Sequence, residues 1–192
     1  MSQLNNEQTI IMKLLSTYGC VSLPQLYDLF PNVKRKFLQI FISQLIKDKY
    51  IEIFHDKYLV NYTESSRYSQ QNIDMLWAIM RLTHNNLTEI LDTIKAAKPC
   101  DYMLTVNNKT TFRLMTATIS NLAALKSMRS DKPSTKKKFP SESYYAIVCP
   151  SKDMLQVLRE YDFDVPVYIL YLQYDGLSRP VVKKLCKKPT AE

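Results

Sequence analysis

The stretch SLPQLYDLFPNVKRKFLQIFISQLIKDKYIEIFHDKYLV, residues 22–60, changes its pattern three times, and those changes decide how the amino-terminal part is read. Ser22-Leu23-Pro24-Gln25 is a capping box with proline in the first turn, where its missing N–H is harmless. Leu26, Tyr27, Leu29 and Phe30 follow as a short helix that Pro31 ends. Asn32 is the expected cap of a longer third helix with one apolar stripe, Leu38, Phe41, Ile42 and Leu45. Its opposite side, at about 100° per residue, carries Lys36, Gln39, Ile40, Ser43 and Lys47. The period then drops to two. Tyr50 to Phe54 alternates as a strand, His55-Asp56-Lys57 is a polar turn, and Tyr58-Leu59-Val60 returns as a second strand.

Working outward, Asn5 caps a first helix through Ile10, Ile11, Leu14, Leu15 and Tyr18, with Gly19 as a left-handed stop and a tight turn to the second helix. Three helices and a hairpin within residues 1–62 predict a winged helix, a variant of the helix-turn-helix. Residues 63–72 are almost wholly polar and read as a linker.

A second domain is expected over 73–182. Ile73, Leu76, Trp77 and Met80 keep helical spacing, and a further helix from Leu87 to Ala97, with Asn86 and Glu89 at capping-box spacing, stops at Pro99. Tyr102–Val106 and Thr110–Met115 flank a two-residue turn, Asn107-Asn108. A helix from Ala117 to Met128, a strand Tyr144–Cys149, a helix Met154–Tyr161 and a strand Pro166–Tyr174 follow. Asp175-Gly176 then turns the chain into a last strand, Leu177–Lys184, and residues 183–192 form a basic tail. The class is α/β (α+β): a winged helix followed by a small α/β sandwich around a mixed sheet.

Composition narrows the chemistry. With only Gly19 and Gly176, neither a Walker loop nor a dinucleotide fingerprint can be written, so no nucleotide cofactor is expected. Cys20, Cys100, Cys149 and Cys186 form no Cys-x-x-Cys pair and are expected as reduced thiols, mostly in the core. No apolar run reaches the roughly 20 residues of a membrane helix, and Met1 to Gln8 is polar rather than signal-like. A cytoplasmic chain without a membrane partner is the expectation.

The net charge of +8 is concentrated in two places. Residues 126–138, with Lys126, Arg129, Lys132, Lys136, Lys137 and Lys138 against Asp131, carry +5, and residues 183–192 carry +3. A polyanion is the natural partner. Lys34, Arg35 and Lys36 sit in the first turn of the third helix, where each opposes the helix dipole by ~0.3–1 kcal/mol at most. A phosphate backbone would give that placement a purpose. Gln39 and Ser43 are then placed to reach base edges, with Lys47 further along the same side, Lys57 on the wing and Lys136, Lys137 and Lys138 adding electrostatic affinity. Double-stranded DNA is therefore the expected partner. A protein-interaction adaptor, including a homodimer, competes with it, and Ile40 on the outer face favours the competitor.

Catalysis finds little to stand on. Restriction-endonuclease-like cores hold metal with an acid near one strand and an acid-x-Lys pair on the next. Asp101 stands at the start of the first strand here, but Thr110 to Met115 contains no acid. Glu142, Asp162, Asp164 and Asp175 fall in loops or turns, and His55 and His84 are the only histidines. No metal, cofactor or catalytic residue is expected and the chain is not expected to be an enzyme, with a metal-dependent nuclease whose site has migrated, on Asp101, Glu142, Asp164 and Asp175, as the less favoured alternative.

On Ser22 to Phe30, Lys34 to Tyr62, Tyr144 to Pro150 and Tyr168 to Val182, the layout resembles winged-helix proteins of Firmicutes plasmids and conjugative elements, the replication-relaxation-like group and related domains of unknown function. The resemblance implies a DNA-binding regulatory or accessory protein of a mobile element, for replication, transfer or transcription control. It also implies a second domain like a nuclease core without its catalytic residues.

Overall fold

Both halves of the chain meet on one helix that is buried nearly all round. The computed structural model describes residues 4–62, 68–127, 143–161, 163, 167–174 and 179–187. The amino-terminal part runs α1 (Asn6–Tyr18), β1 (Cys20–Ser22), α2 (Leu23–Leu29), α3 (Arg35–Lys47), β2 (Ile51–Phe54) and β3 (Tyr58–Asn61). Its three strands form an antiparallel sheet in the order β1-β3-β2. Two expected caps are present: Asn5 with Gln8 closes α1, and Ser22 with Gln25 closes α2, each as a complete capping box. Gly19 takes the positive φ of 78° that ends α1.

Two local expectations fail. The link between α1 and α2 is not a bare turn but β1, paired residue by residue with β3 from Cys20–Val60 to Ser22–Tyr58. Three residues are too few to show alternation, so only the partner strand reveals β1. Asn32 does not cap α3; Lys34 occupies the cap position and makes no side-chain capping bond.

Next come α4 (Gln70–Leu82), α5 (Leu87–Leu91), β4 (Ile94–Lys95), β5 (Tyr102–Val106), β6 (Thr110–Thr116), α6 (Ile119–Ser127), β7 (Ser143–Cys149), α7 (Lys152–Glu160), β8 (Val167–Gln173) and β9 (Val181–Lys187). The last six strands form one mixed sheet in the order β4-β5-β6-β7-β8-β9. β6, β7 and β8 are parallel, and the other neighbours are antiparallel. The chain is thus mixed α/β.

The sheet is buried on both faces, which is why β7 and β8 are apolar runs rather than alternating ones. Ala146, Val148, Leu170 and Leu172 face α4 and the amino-terminal part, whereas Ile147, Cys149, Val167 and Ile169 face α6 and α7 through Leu122, Leu155 and Leu158.

α4 decides how the two parts meet. It starts at Gln70, inside the stretch read as a linker, because Ser69 accepts from the Asn72 N–H and caps it. It buries Ile73, Met75, Leu76, Trp77, Ala78, Ile79, Met80 and Leu82, touching α1 and β1 on one side and β6 to β9 on the other. One hydrophobic core runs from Ile11 through Leu76 to Leu172. Polar ties reinforce the join: Gln25 Nε2 donates to the Ile73 carbonyl at 2.8 Å, and Tyr18 Oη donates to the Ile90 carbonyl at 2.9 Å. Tyr102, whose ring lies 5.3 Å from that of Tyr18, is pushed up to about 12 by burial.

Three further details depart from the sequence reading. The helix expected from Leu87 to Ala97 stops at Leu91, and Ile94–Lys95 pairs with β5 as an edge strand. Glu89 does not close a capping box on Asn86; it accepts from the Asn107 N–H at 2.7 Å and so fixes the β5–β6 loop. That loop has three residues, with Asn107 and Asn108 both at positive φ. Lys183, Lys184 and Lys187 belong to β9, antiparallel to β8, rather than to a tail. The expected Asp175-Gly176 turn and residues 188–192 lie outside the described residues.

Candidate nucleic-acid interface

α3 is held by a narrow stripe. Leu38, Ile42 and Leu45 are buried and Phe41 half-buried, and Gln8 Nε2 reaches across from α1 to Gln44 Oε1 at 3.1 Å. Everything else on the helix faces water. Lys34, Arg35, Lys36, Gln39, Ser43 and Lys47 are all exposed, and Arg35–Lys47 contains no acid. Lys36, Gln39, Ser43 and Lys47 line one shallow depression of about 320 Å³ with Ile40 and Gln44, so one face gathers these four residues.

The first turn is electrostatically open. No side chain caps it, no acid sits in it, and Lys34, Arg35 and Lys36 stand at its start. Such a helix end has a positive potential and unsatisfied donors, both suited to an anion. The three cations are not equivalent. Arg35 lies with its guanidinium carbon 5.1 Å from the centre of the Tyr27 ring, and it shares with Arg179 the neighbourhood of Asp28. Arg179 pairs with Asp28 at 2.7 Å. Desolvation raises the Asp28 carboxyl, and the two arginines oppose that rise.

Apolar side chains are exposed on the same helix: Phe37 is 51%, Ile40 42% and Ile46 36% accessible. Ile53 and Phe54 on β2 are each 41% accessible.

Lys57 is placed differently from the other six. It is half-buried, its ammonium lies 5.1 Å from the centre of the Tyr58 ring, and it lines a cleft against α4 rather than projecting from the hairpin tip. The tip itself has His55 and Asp56 at positive φ, with His55 packed edge-on against Phe54. Lys136, Lys137 and Lys138, and the acids Glu142, Asp162, Asp164 and Asp175, lie outside the described residues.

Asp101 is engaged structurally. Its Oδ2 accepts from the Thr116 N–H at 3.0 Å and the Thr116 hydroxyl at 3.1 Å, while its Oδ1 pairs with Lys98 at 2.7 Å. It therefore ties the start of β5 to the end of β6. Among the described residues no group of three or more His, Cys, Asp or Glu side chains is placed to hold a metal ion, and no helix is long and apolar enough to cross a membrane. Cys20, Cys100 and Cys149 are buried thiols and Cys186 an exposed one.

The residue that sequence reasoning missed is Asp74. It is a lone acid in the otherwise apolar run Ile73-Asp74-Met75-Leu76-Trp77, and only 4% of it is exposed. An acid within a helix buried all round is itself the signal, because burying a charge is costly unless the site uses it.

No protein-family model, curated protein or solved structure matches the chain.

Proposed function

We propose that the chain is a DNA-binding regulatory or accessory protein, with its amino-terminal part a winged helix-turn-helix and α3 its recognition helix. The order α1-β1-α2-α3-β2-β3 with sheet order β1-β3-β2 supports the winged-helix reading. The observation that carries the DNA reading is the exposed, acid-free face of α3. Lys34, Arg35 and Lys36 hold phosphate at the open helix end, Gln39 and Ser43 meet base edges in the major groove, and Lys47 extends the contact. Lys57 is left out of this set, because its ammonium is turned to Tyr58 and the cleft. The carboxy-terminal sheet is proposed as a non-catalytic body similar in layout to a restriction-endonuclease-like core, with Asp101 committed to Thr116 and Lys98. Association with a mobile element rests on the resemblance of layout alone.

The test is binding to duplex DNA across a salt series. Each phosphate neutralised adds about 0.9 to the slope of log K against log salt. A steep slope supports the proposal, and a flat one or no binding rejects it.

A second reading has its own observation. Phe37, Ile40 and Ile46 are exposed on α3, and an apolar patch of this kind suits a protein partner or a homodimer. Light scattering with and without duplex DNA separates the two. An adaptor is oligomeric and indifferent to DNA, whereas the DNA-binding protein gains mass with it.

A further inference from the structure

A cleft of about 390 Å³ opens between the hairpin, α4 and the carboxyl ends of β7 and β8, lined by Ser22, Lys57, Tyr58, Gln70, Ile73, Asp74, Pro150 and Tyr174. Small-molecule sites occupy roughly 300–1,000 Å³, and in open α/β sheets they lie outside the carboxyl ends of parallel strands. Pro150 directly follows β7 and Tyr174 directly follows β8, so the cleft stands at such a place.

Its polar groups are arranged with one acceptor left over. Gln70 Nε2 donates to Asp74 Oδ1 at 2.8 Å, and Tyr174 Oη donates to the same oxygen. Tyr68 Oη donates to Gln70 Oε1, which fixes which way the amide points. Asp74 Oδ2 accepts no hydrogen bond from any described residue, although the residue is only 4% exposed. Desolvation raises the Asp74 carboxyl above the ordinary carboxylate range, and the bonds from Tyr174 and Gln70 oppose that rise.

A cation, Lys57, lines the same cleft. The Lys57 backbone is pinned by the Leu23 N–H, which donates to its carbonyl at 2.9 Å, and the ammonium rests over the Tyr58 ring. Lys57 and Asp74 line one cleft yet form no ion pair with each other or with another described residue. A buried carboxylate is costly unless it is paired and hydrogen-bonded, and Asp74 has hydrogen bonds on one oxygen only. Without an ion pair among the described residues, the two suit a third molecule that carries both signs. Ile73, Pro150 and the faces of Tyr58 and Tyr174 supply apolar wall for the rest of it.

We propose that the cleft binds a small zwitterion of the α-amino-acid class, its ammonium on Asp74 Oδ2, its carboxylate on Lys57 and its apolar side chain against Ile73, Pro150 and the tyrosine rings. The site is separate from the outer face of α3, and its test contains no DNA.

The experiment is calorimetry on the full chain with L-leucine and L-phenylalanine, and with two halves of leucine: isoamylamine, which lacks the carboxylate, and 4-methylpentanoate, which lacks the ammonium. An amino acid binds, and each half binds about tenfold or more weakly, as expected when a charged hydrogen bond is lost. Lys57→Met removes the preference for leucine over isoamylamine, and Asp74→Asn removes the preference for leucine over 4-methylpentanoate. Absence of binding by both amino acids at millimolar concentration overturns the proposal, as does unchanged leucine affinity in either variant. If Asp74→Asn does not fold, the Lys57→Met series decides alone, because Lys57 stands half-exposed at a hairpin turn.

Discussion

α3 and α4 each have 13 residues, and they end in opposite situations. α3 buries three side chains, Leu38, Ile42 and Leu45, and leaves a cationic face in water. α4 buries nine of its residues, including one acid, and joins two sheets. The difference teaches where charge is inexpensive and where it is not. An exposed lysine is solvated whether or not a partner arrives, so α3 can hold several at little cost to stability. Asp74 is only 4% exposed, and the hydrogen bonds from Gln70 and Tyr174 to one of its oxygens offset only part of the cost of removing it from water.

The largest test of that contrast is Leu76→Ala. Removing a fully buried leucine costs about 2–5 kcal/mol, and because α4 serves both parts, thermal unfolding should stay a single transition at a lower temperature. Two separated transitions would break the claim of one shared core. Trp77, the only tryptophan, lies on the next position and reports on both parts at once.

Replacing Lys34, Arg35 and Lys36 together by glutamine should leave the melting temperature almost unchanged while lowering the salt slope of DNA binding by about 2.7, three contacts at about 0.9 each. A large loss of stability instead would mean that these cations serve the fold.

For Asp74 the contrast predicts a dependence on pH. Burial raises its folded-state pKa, so the native chain keeps this proton to higher pH than the unfolded chain does. Its contribution to stability is therefore greatest below the ordinary carboxylate pKa and declines as pH rises through the raised one. Asp74→Asn should remove that decline and, without ligand, leave the chain at least as stable as the parent at neutral pH. Denaturant midpoints measured from pH 4 to pH 8 check it, and a variant less stable than the parent at neutral pH would contradict it.

The smallest effect concerns the open end of α3. Lys34→Asp supplies both a capping acceptor and a favourable charge, and should stabilise the chain by about 0.5–1 kcal/mol while weakening DNA binding. Opposite signs in denaturant titration and in binding sharpen the comparison, and equal signs would end it.

Much of the local structure was legible in residue order. Asn5 with Gln8 and Ser22 with Gln25 are read within four residues, so both capping boxes could be anticipated. The exposed set on α3 follows from its 3.6-residue period, because the stripe Leu38, Ile42 and Leu45 leaves only one side to bury. Asn32 has the capping chemistry two positions too early for the third helix, because the chain turns through Asn32 and Val33 before α3 begins.

Sequence alone determined what neighbouring residues settle among themselves: caps, periods, the apolar runs of β7 and β8, and the cationic start of α3. Tertiary structure decided what depends on distant partners. β1 exists because β3 pairs with it, Lys183 to Lys187 form a strand because β8 does, and α4 joins both parts because apolar surface waits on each side of it. The cleft gathers residues 22, 57, 74, 150 and 174, and no local pattern can announce that meeting. Local preferences extend over a few residues, whereas burial and strand pairing act between any segments the fold brings within contact.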